Sequence, residues 1–312
     1  MSMTKEMTSG KPYKLILSFA IPLILGNVFQ QLYNMVDTVI VGKFVGVNAL
    51  AGVGSTGAIN FLVIGFALGI CSGFSIMIAQ RFGAGDYSGM RKFIANSIYL
   101  CIAVAVILTA VTMLLTKPIL TVMNTPKEIY DYAYNYIIII FAGISATMFY
   151  NILSGILRAV GDSRTPLIFL GVSSVLNVGL DLLCIIVFKM GVAGAGIATV
   201  ISQAISAFLC LIYIRKNYDI LRFEHDELKF EAHRAKRLVS VGIPMALQFS
   251  ITAIGSIILQ SAVNSLGTAS VASVTAATKI QTVAIGPMES LGITMATYCG
   301  QNRGAGKYTR IR

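Results

Sequence analysis

Four charged side chains interrupt long apolar stretches of this sequence: Asp37, Asp181, Lys279 and Glu289. A charge held at a bilayer centre costs about 2.5–3.5 kcal/mol on the insertion scale, so each needs a chemical reason to be there. Asp37 lies six residues before Lys43, and Asp181 lies eight residues before Lys189. If those lysines mark the outer helix ends, the carboxylates sit about 9 and 12 Å below the surface at 1.5 Å per residue. Each belongs to a polar stripe. Pro22, Gly26, Gln30, Tyr33 and Asp37 step by four, four, three and four, and Ser173, Asn177, Asp181 and Cys184 by four, four and three. Such steps gather each set on one helix face. Two carboxylates that share a poorly solvated place titrate as a coupled unit. They can hold a proton or a sodium ion, with amide and hydroxyl oxygens completing the shell. Thr199, at a compatible depth, supplies such a hydroxyl. The bland alternative is an aspartate that only bonds across helices as packing glue. Matched depth and two aligned stripes favour the ion-binding reading.

Lys279 and Glu289 are ten residues apart, so they cannot pair along their own helix. They face a central cavity or pair with further helices, and both readings stand. Pro22 and Pro244 occupy corresponding helices and remove a backbone hydrogen bond there. A helix that bends in operation and a static kink fit equally well.

The elements that must position these residues are membrane spans. The 312 residues are 56% hydrophobic and 12% charged, with mean hydropathy +0.78. That excludes a soluble enzyme, a nucleic-acid-binding domain and a disordered chain, because the outside of a soluble globule must face water. Apolar runs long enough to cross a bilayer recur eight times, at about 13–42, 49–79, 93–116, 130–157, 166–188, 191–214, 238–263 and 269–299. The short alternating segments of a barrel are lacking. The expected fold is therefore an all-α polytopic membrane protein of eight transmembrane helices. Its first helix is expected to be an uncleaved anchor, since no small-residue cleavage site follows the run.

The net charge of +11 comes from topology. With the N-terminus inside, 19 of the 24 lysines and arginines fall on inner segments and four on outer loops. This is the positive-inside pattern, and no nucleic acid is needed to explain it. The five cysteines are odd in number, lie in or beside apolar runs and form no CxxC pair; they read as reduced packing residues. His225 and His233 lie in a polar stretch.

An internal repeat organises the chain. Gln80-Arg81-Phe82-Gly83-Ala84-Gly85 returns as Gln301-Asn302-Arg303-Gly304-Ala305-Gly306 at an offset of 221, and Ile21-Pro22 returns as Ile243-Pro244 at 222. Six helices separate the starts of the copies, so the repeat is parallel, about an axis along the membrane normal. The expected division is a six-helix lobe over 1–214, a cytoplasmic linker over 215–237, and the first two helices of a second, incomplete lobe over 238–312. On this reading the chain is truncated in its second half. The glycines of 80–85 lack the lysine and Ser/Thr of a phosphate loop; they read as a tight inner turn ending a helix.

Several stretches together resemble the multidrug and toxic compound extrusion (MATE) family of secondary transporters. They are Ile21-Pro22-Leu23, Tyr33-Asn34-Met35-Val36-Asp37, Gln80–Gly85, Leu157–Asp162, Asn177-Val178-Gly179-Leu180-Asp181, Gly191–Thr199 and Gln301–Gly306. The resemblance covers essentially the whole chain. It implies an inner-membrane, multi-pass antiporter that exports cationic or amphipathic organic compounds in exchange for H⁺ or Na⁺, by alternating access and with no other cofactor. It places cation binding on Asp37, Asn177, Asp181 and Thr199, with Tyr33, Tyr136 and Asn151 as supporting hydrogen-bond partners. For Lys279 and Glu289 both readings stay open, the cavity of the second lobe or pairing with further helices. The resemblance implies no enzyme and no obligate protein partner. It puts transport by a chain lacking the end of the second lobe in doubt. A lipid-linked oligosaccharide flippase of similar architecture is the rival, but it would need basic residues in the first lobe's membrane interior, where none is found. A membrane-embedded enzyme would need metal-ligand or nucleophile–base sets within the helices, and no histidine lies in any span.

Overall fold

The computed structural model describes residues 6–123, 125–264 and 268–312; several side chains between 257 and 283, including that of Lys279, lie outside the described residues. The helices are α1 (Pro12–Phe44), α2 (Val47–Ser55), α3 (Gly57–Gly83), α4 (Tyr87–Val122), α5 (Lys127–Ala142), α6 (Ile144–Ala159), α7 (Arg164–Leu182), α8 (Gly191–Asn217), α9 (Ala232–Asn264) and α10 (Thr268–Gly304). Among the described residues there is no strand.

Two of the expected spans are not single straight helices. The run over 49–79 breaks at Thr56, between α2 and α3. The buried Thr56 hydroxyl donates to the Val53 carbonyl at 2.7 Å, a local bond that competes with the helical ladder. The run over 130–157 bends by 47° where α5 meets α6. The joint is Gly143, whose bare Cα lets the Val200 side chain of α8 pack into the bend. Six helices among the described residues are long and apolar enough to cross a membrane, and the bent pair makes a seventh.

α3 is the hub. It packs on α4, α6, α9 and α10. Between membrane helices there is little hydrophobic driving force, so close packing by small residues takes over. Gly69 and Gly73 meet the α9 backbone directly: Ala246 N lies 2.6 Å, and Gly242 Cα 2.6 Å, from where their Cβ atoms would stand.

Three helix ends share one device. In α3, α6 and α10 the chain leaves through a left-handed glycine: Gly85 (φ 71°), Gly161 (φ 91°) and Gly306 (φ 70°). Each cap closes with the paired bonds of a Schellman motif; for α3 these are Asp86 N–H to Arg81 O at 3.1 Å and Gly85 N–H to Phe82 O at 3.0 Å. Gly85 and Gly306 occupy the same place in the two copies of the repeated motif, which is the helix-ending turn expected there. The two copies also touch reciprocally: a Cβ on Gly83 would strike Gln301, and one on Gly304 would strike Gln80. Beside this contact the N-terminal segment is tucked in. Met7 N–H donates to Gln301 Oε1 at 2.8 Å, and Asn302 Nδ2 donates to Met7 O at 3.1 Å.

The segment between α8 and α9 is shorter than the expected 215–237, because the helices extend to Asn217 and from Ala232. It is not a loose tether. Arg91 of α4 grips Glu227 through Nε at 2.6 Å and Nη2 at 2.8 Å, and Asn96 Oδ1 accepts from Glu231 N–H at 2.9 Å. The Arg91 guanidinium holds the buried Glu227 carboxyl at about 2, below its ordinary 4.5. A folded-state pKa lowered in this way adds stability above pH 4.5 that is lost as pH falls towards about 2. Removing one partner of a buried pair strands the other charge, at roughly 3 kcal/mol. Glu227→Ala should therefore free the segment, and trypsin should cut faster at the exposed Arg222 and Lys229. Acidification towards pH 2 should do the same in the unaltered protein, read by pepsin at the exposed Phe223 and Phe230. Cleavage rates equal in variant and parent would refute the clamp.

Candidate functional site

The site forms where α1 meets α7 and α8, with α5 packed against α8. Gly26 of α1 admits Leu170 and Leu167 of α7, 3.4 and 3.5 Å from its Cβ position. That close contact brings the two polar stripes face to face. On α7, Ser173, Asn177 and Asp181 are buried, Asp181 completely, and Cys184 just beyond its end is buried too. On α1, Pro22 and Gly26 are buried, and Gln30, Tyr33 and Asp37 are half-buried between exposed apolar neighbours.

Asp37 and Asp181 come together, with their carboxyl groups within hydrogen-bond reach of each other. Each has one oxygen, Oδ1, that is buried and has no protein partner. Asn177, with its amide oriented to satisfy both neighbours, donates to Asp181 Oδ2 at 3.2 Å and accepts from Thr199 N–H at 3.3 Å. The Thr199 hydroxyl donates to Ala195 O at 3.0 Å, which leaves its lone pairs for another donor or a cation. Tyr33 and Tyr136 lie close enough to feel both carboxylates. Asn151 is occupied on its own helix, where Nδ2 donates to Thr147 O at 2.8 Å. Just beyond Asp181, α7 widens into a π turn over Leu183–Val187, a distortion that recurs at functional sites.

Two residues of this site escaped the sequence reading. Tyr33, Ser173, Asn177, Thr199, Ser202 and Gln203 line one small recess. Ser202 Oγ and Gln203 Oε1 are buried there without partners. With the two aspartate oxygens they make four unsatisfied oxygens in the region where α1, α7 and α8 meet. Unpaired buried oxygens are costly unless something donates to them or a cation sits among them. The steps from Thr199 to Ser202 and Gln203 are three and four residues, so the α8 stripe was present in the sequence. The second-copy residues stand apart. Glu289 is exposed on α10, next to the buried Ser290, and the Lys279 side chain lies outside the described residues. All five cysteines are unbonded.

The sequence comparisons bear on the whole of this arrangement. The MatE family model matches residues 22–183 and 244–312, which takes in both aspartates and both copies of the repeated motif. The chain belongs to the MatE family. Its relatives include "Probable multidrug resistance protein YpnP" of Bacillus subtilis, 31% identical over 98% of this chain and 68% of the relative. "Probable multidrug resistance protein NorM" of Thermotoga maritima is 27% identical over 96% of this chain and 65% of its own length. Among solved structures, one described as the outward-facing conformation of a multidrug resistance MATE family transporter superposes with a TM-score of 0.91 at 26% identity. It covers 98% of this chain and 68% of that one. This MatE chain is thus a multi-pass, all-helical membrane protein whose relatives are transporters, not enzymes.

Proposed function

We propose that the protein is a secondary active efflux antiporter. It exports small cationic or amphipathic organic compounds in exchange for H⁺ or Na⁺. The observation that carries this reading is the Asp37–Asp181 pair, whose orphan oxygens lie beside Asn177 and Thr199. The names of the relatives support the drug substrates. In this reading the eight apolar runs all cross the inner membrane, with α10 as the eighth. The N-terminus and the 215–237 region lie in the cytoplasm, where the basic residues gather. Residues 1–214 form one lobe, and 238–312 belong to a second lobe related by the parallel repeat.

The cycle follows from the placement of the groups. A cation enters from outside and occupies the oxygens of Asp37, Asp181, Asn177 and Thr199, with Tyr33, Tyr136 and Asn151 near the shell. Its charge removes the repulsion between the two carboxylates, so α1 and α7 can close on each other. α1 bends at Pro22, where one helical bond is already missing. The compound is then displaced outward, and return of the ion to the cytoplasm resets the carboxylates. Each elementary charge moving across 100 mV supplies about 2.3 kcal/mol. Glu289, exposed on α10, bears on which compounds are held.

The test is transport of ethidium in proteoliposomes. An imposed gradient of H⁺ or of Na⁺ should drive dye movement against its own gradient. Dye movement that neither gradient accelerates would defeat the antiport reading.

A further inference from the structure

The two repeat copies cross each other twice, at corresponding positions but with different chemistry. In one crossing α3 lays Gly65, Gly69 and Gly73 against Phe249, Ala246 and Gly242 of α9. Adding the repeat offsets maps Gly65, Gly69 and Gly73 onto Gly286, Ser290 and Thr294 of α10, and Phe249 back onto Asn27 of α1. Those residues do form the second crossing. Asn27 Nδ2 donates to Gly286 O at 3.1 Å and to Ser290 Oγ at 2.8 Å, and the Ser290 hydroxyl donates to Gly286 O at 3.0 Å. The first crossing is backbone on backbone. The second is wider, with Asn27 Cβ 3.9 Å from where a Cβ of Gly286 would stand, against 3.4 Å for Phe249 and Gly65.

We propose that Asn27 is a positioning residue of the transport cycle, a hydrogen-bonded latch between α1 and α10 that opens while the α3–α9 crossing stays shut as the pivot. This rests on the alternating-access reading above. Interdigitated backbones lose their dispersion contacts at the first ångström of separation, with nothing polar to take their place. An amide and a hydroxyl can trade each other for water as a cleft wets, at a cost of only a few-fold in the equilibrium. The latch also sits where it can be worked. It lies five residues from Pro22 and ten from Asp37 on α1, and Gly286 precedes Pro287 in α10. A bend at either proline, or closure around Asp37, moves one side of the latch against the other.

The test separates latching from folding. Spin labels at the exposed Lys11 and Arg303 report the α1–α10 separation by pulsed EPR, beside ethidium transport kinetics in proteoliposomes. Asn27→Leu keeps the bulk and removes the hydrogen bonds. It and Ser290→Ala should each raise the separated-to-joined ratio about three- to tenfold. Both should change the maximal transport rate at unchanged KM, and the double variant should go no further than the larger single effect. The exchange Asn27→Ser with Ser290→Asn should restore the parent ratio. An unchanged ratio in Asn27→Leu overturns the latch. So does a loss of extracted protein with the ratio unchanged, which would mean a purely structural contact. Dye movement that neither an H⁺ nor a Na⁺ gradient accelerates would defeat the antiport reading instead, and the EPR ratio would still decide the latch.

Discussion

Asp37→Asn and Asp181→Asn should each abolish ion-driven export while leaving the protein inserted and extractable. Asparagine keeps the size of aspartate and its capacity to bond across helices, and interhelical bonds of that kind are worth only about 0.6 kcal/mol on average. It cannot take up and release a proton, and it offers a sodium ion a neutral ligand in place of a charged one. The loss should therefore exceed a hundredfold in the driven rate, against a small change in yield. Asn177→Ala and Thr199→Ala should fall between, since they remove neutral oxygens and leave both carboxylates. Ser202→Ala and Gln203→Leu probe the unpaired oxygens further along the recess and should weaken ion dependence before they weaken dye transport. Export must be read as dye efflux and folding as monodisperse yield in detergent. Parent-level efflux in both aspartate variants would remove the coupling role from this pair and direct attention to Glu289.

The carboxylate pair was legible in the sequence because helical steps are periodic and charges in apolar runs are rare. Asp37 and Asp181, fixed by stripes and depth, do meet, and the buried α7 stripe follows the steps counted from the sequence. The Gln80–Gly85 turn was legible for a similar reason, since glycine past a helix end has few other uses. Three features were not. The break at Thr56 and the bend at Gly143 fall inside continuous apolar runs, where hydropathy carries no signal and a local hydroxyl bond or an incoming Val200 side chain decides. Asn27 was passed over because an uncharged amide in a helix has no periodic partner on its own strand of sequence; its partners are more than 250 residues away. The Arg91–Glu227 clamp was hidden likewise, as one pair among many surface charges of a linker.

Gly69→Ala and Gly73→Ala should cost far more protein than their chemistry suggests. In an exposed helix, glycine to alanine gains about 0.5–1 kcal/mol, because glycine carries the greater backbone entropy. Here the new methyl group would meet backbone, not a side chain that can swing away. At Gly69 the obstacles are the Ala246 amide at 2.6 Å and the Met245 carbonyl at 2.7 Å. At Gly73 they are Gly242 Cα at 2.6 Å and the Val241 carbonyl at 2.9 Å. Relief requires α3 and α9 to move apart along their whole crossing, so the penalty should reach the upper end of the overpacking range, about 3 kcal/mol or more. Gly171, within α7, and Gly292, within α10, meet nothing within 4 Å, and Gly171→Ala and Gly292→Ala should be neutral or slightly stabilising. The comparison is made by thermal unfolding of the four detergent-solubilised variants. Because the α3–α9 crossing is held to be the pivot, Gly69→Ala should lower the melting temperature and the yield together, without the shift in α1–α10 separation expected of Asn27→Leu. Equal melting temperatures across the four variants would mean that α3 and α9 do not approach as closely as backbone contact requires, and the pivot would fall with that contact.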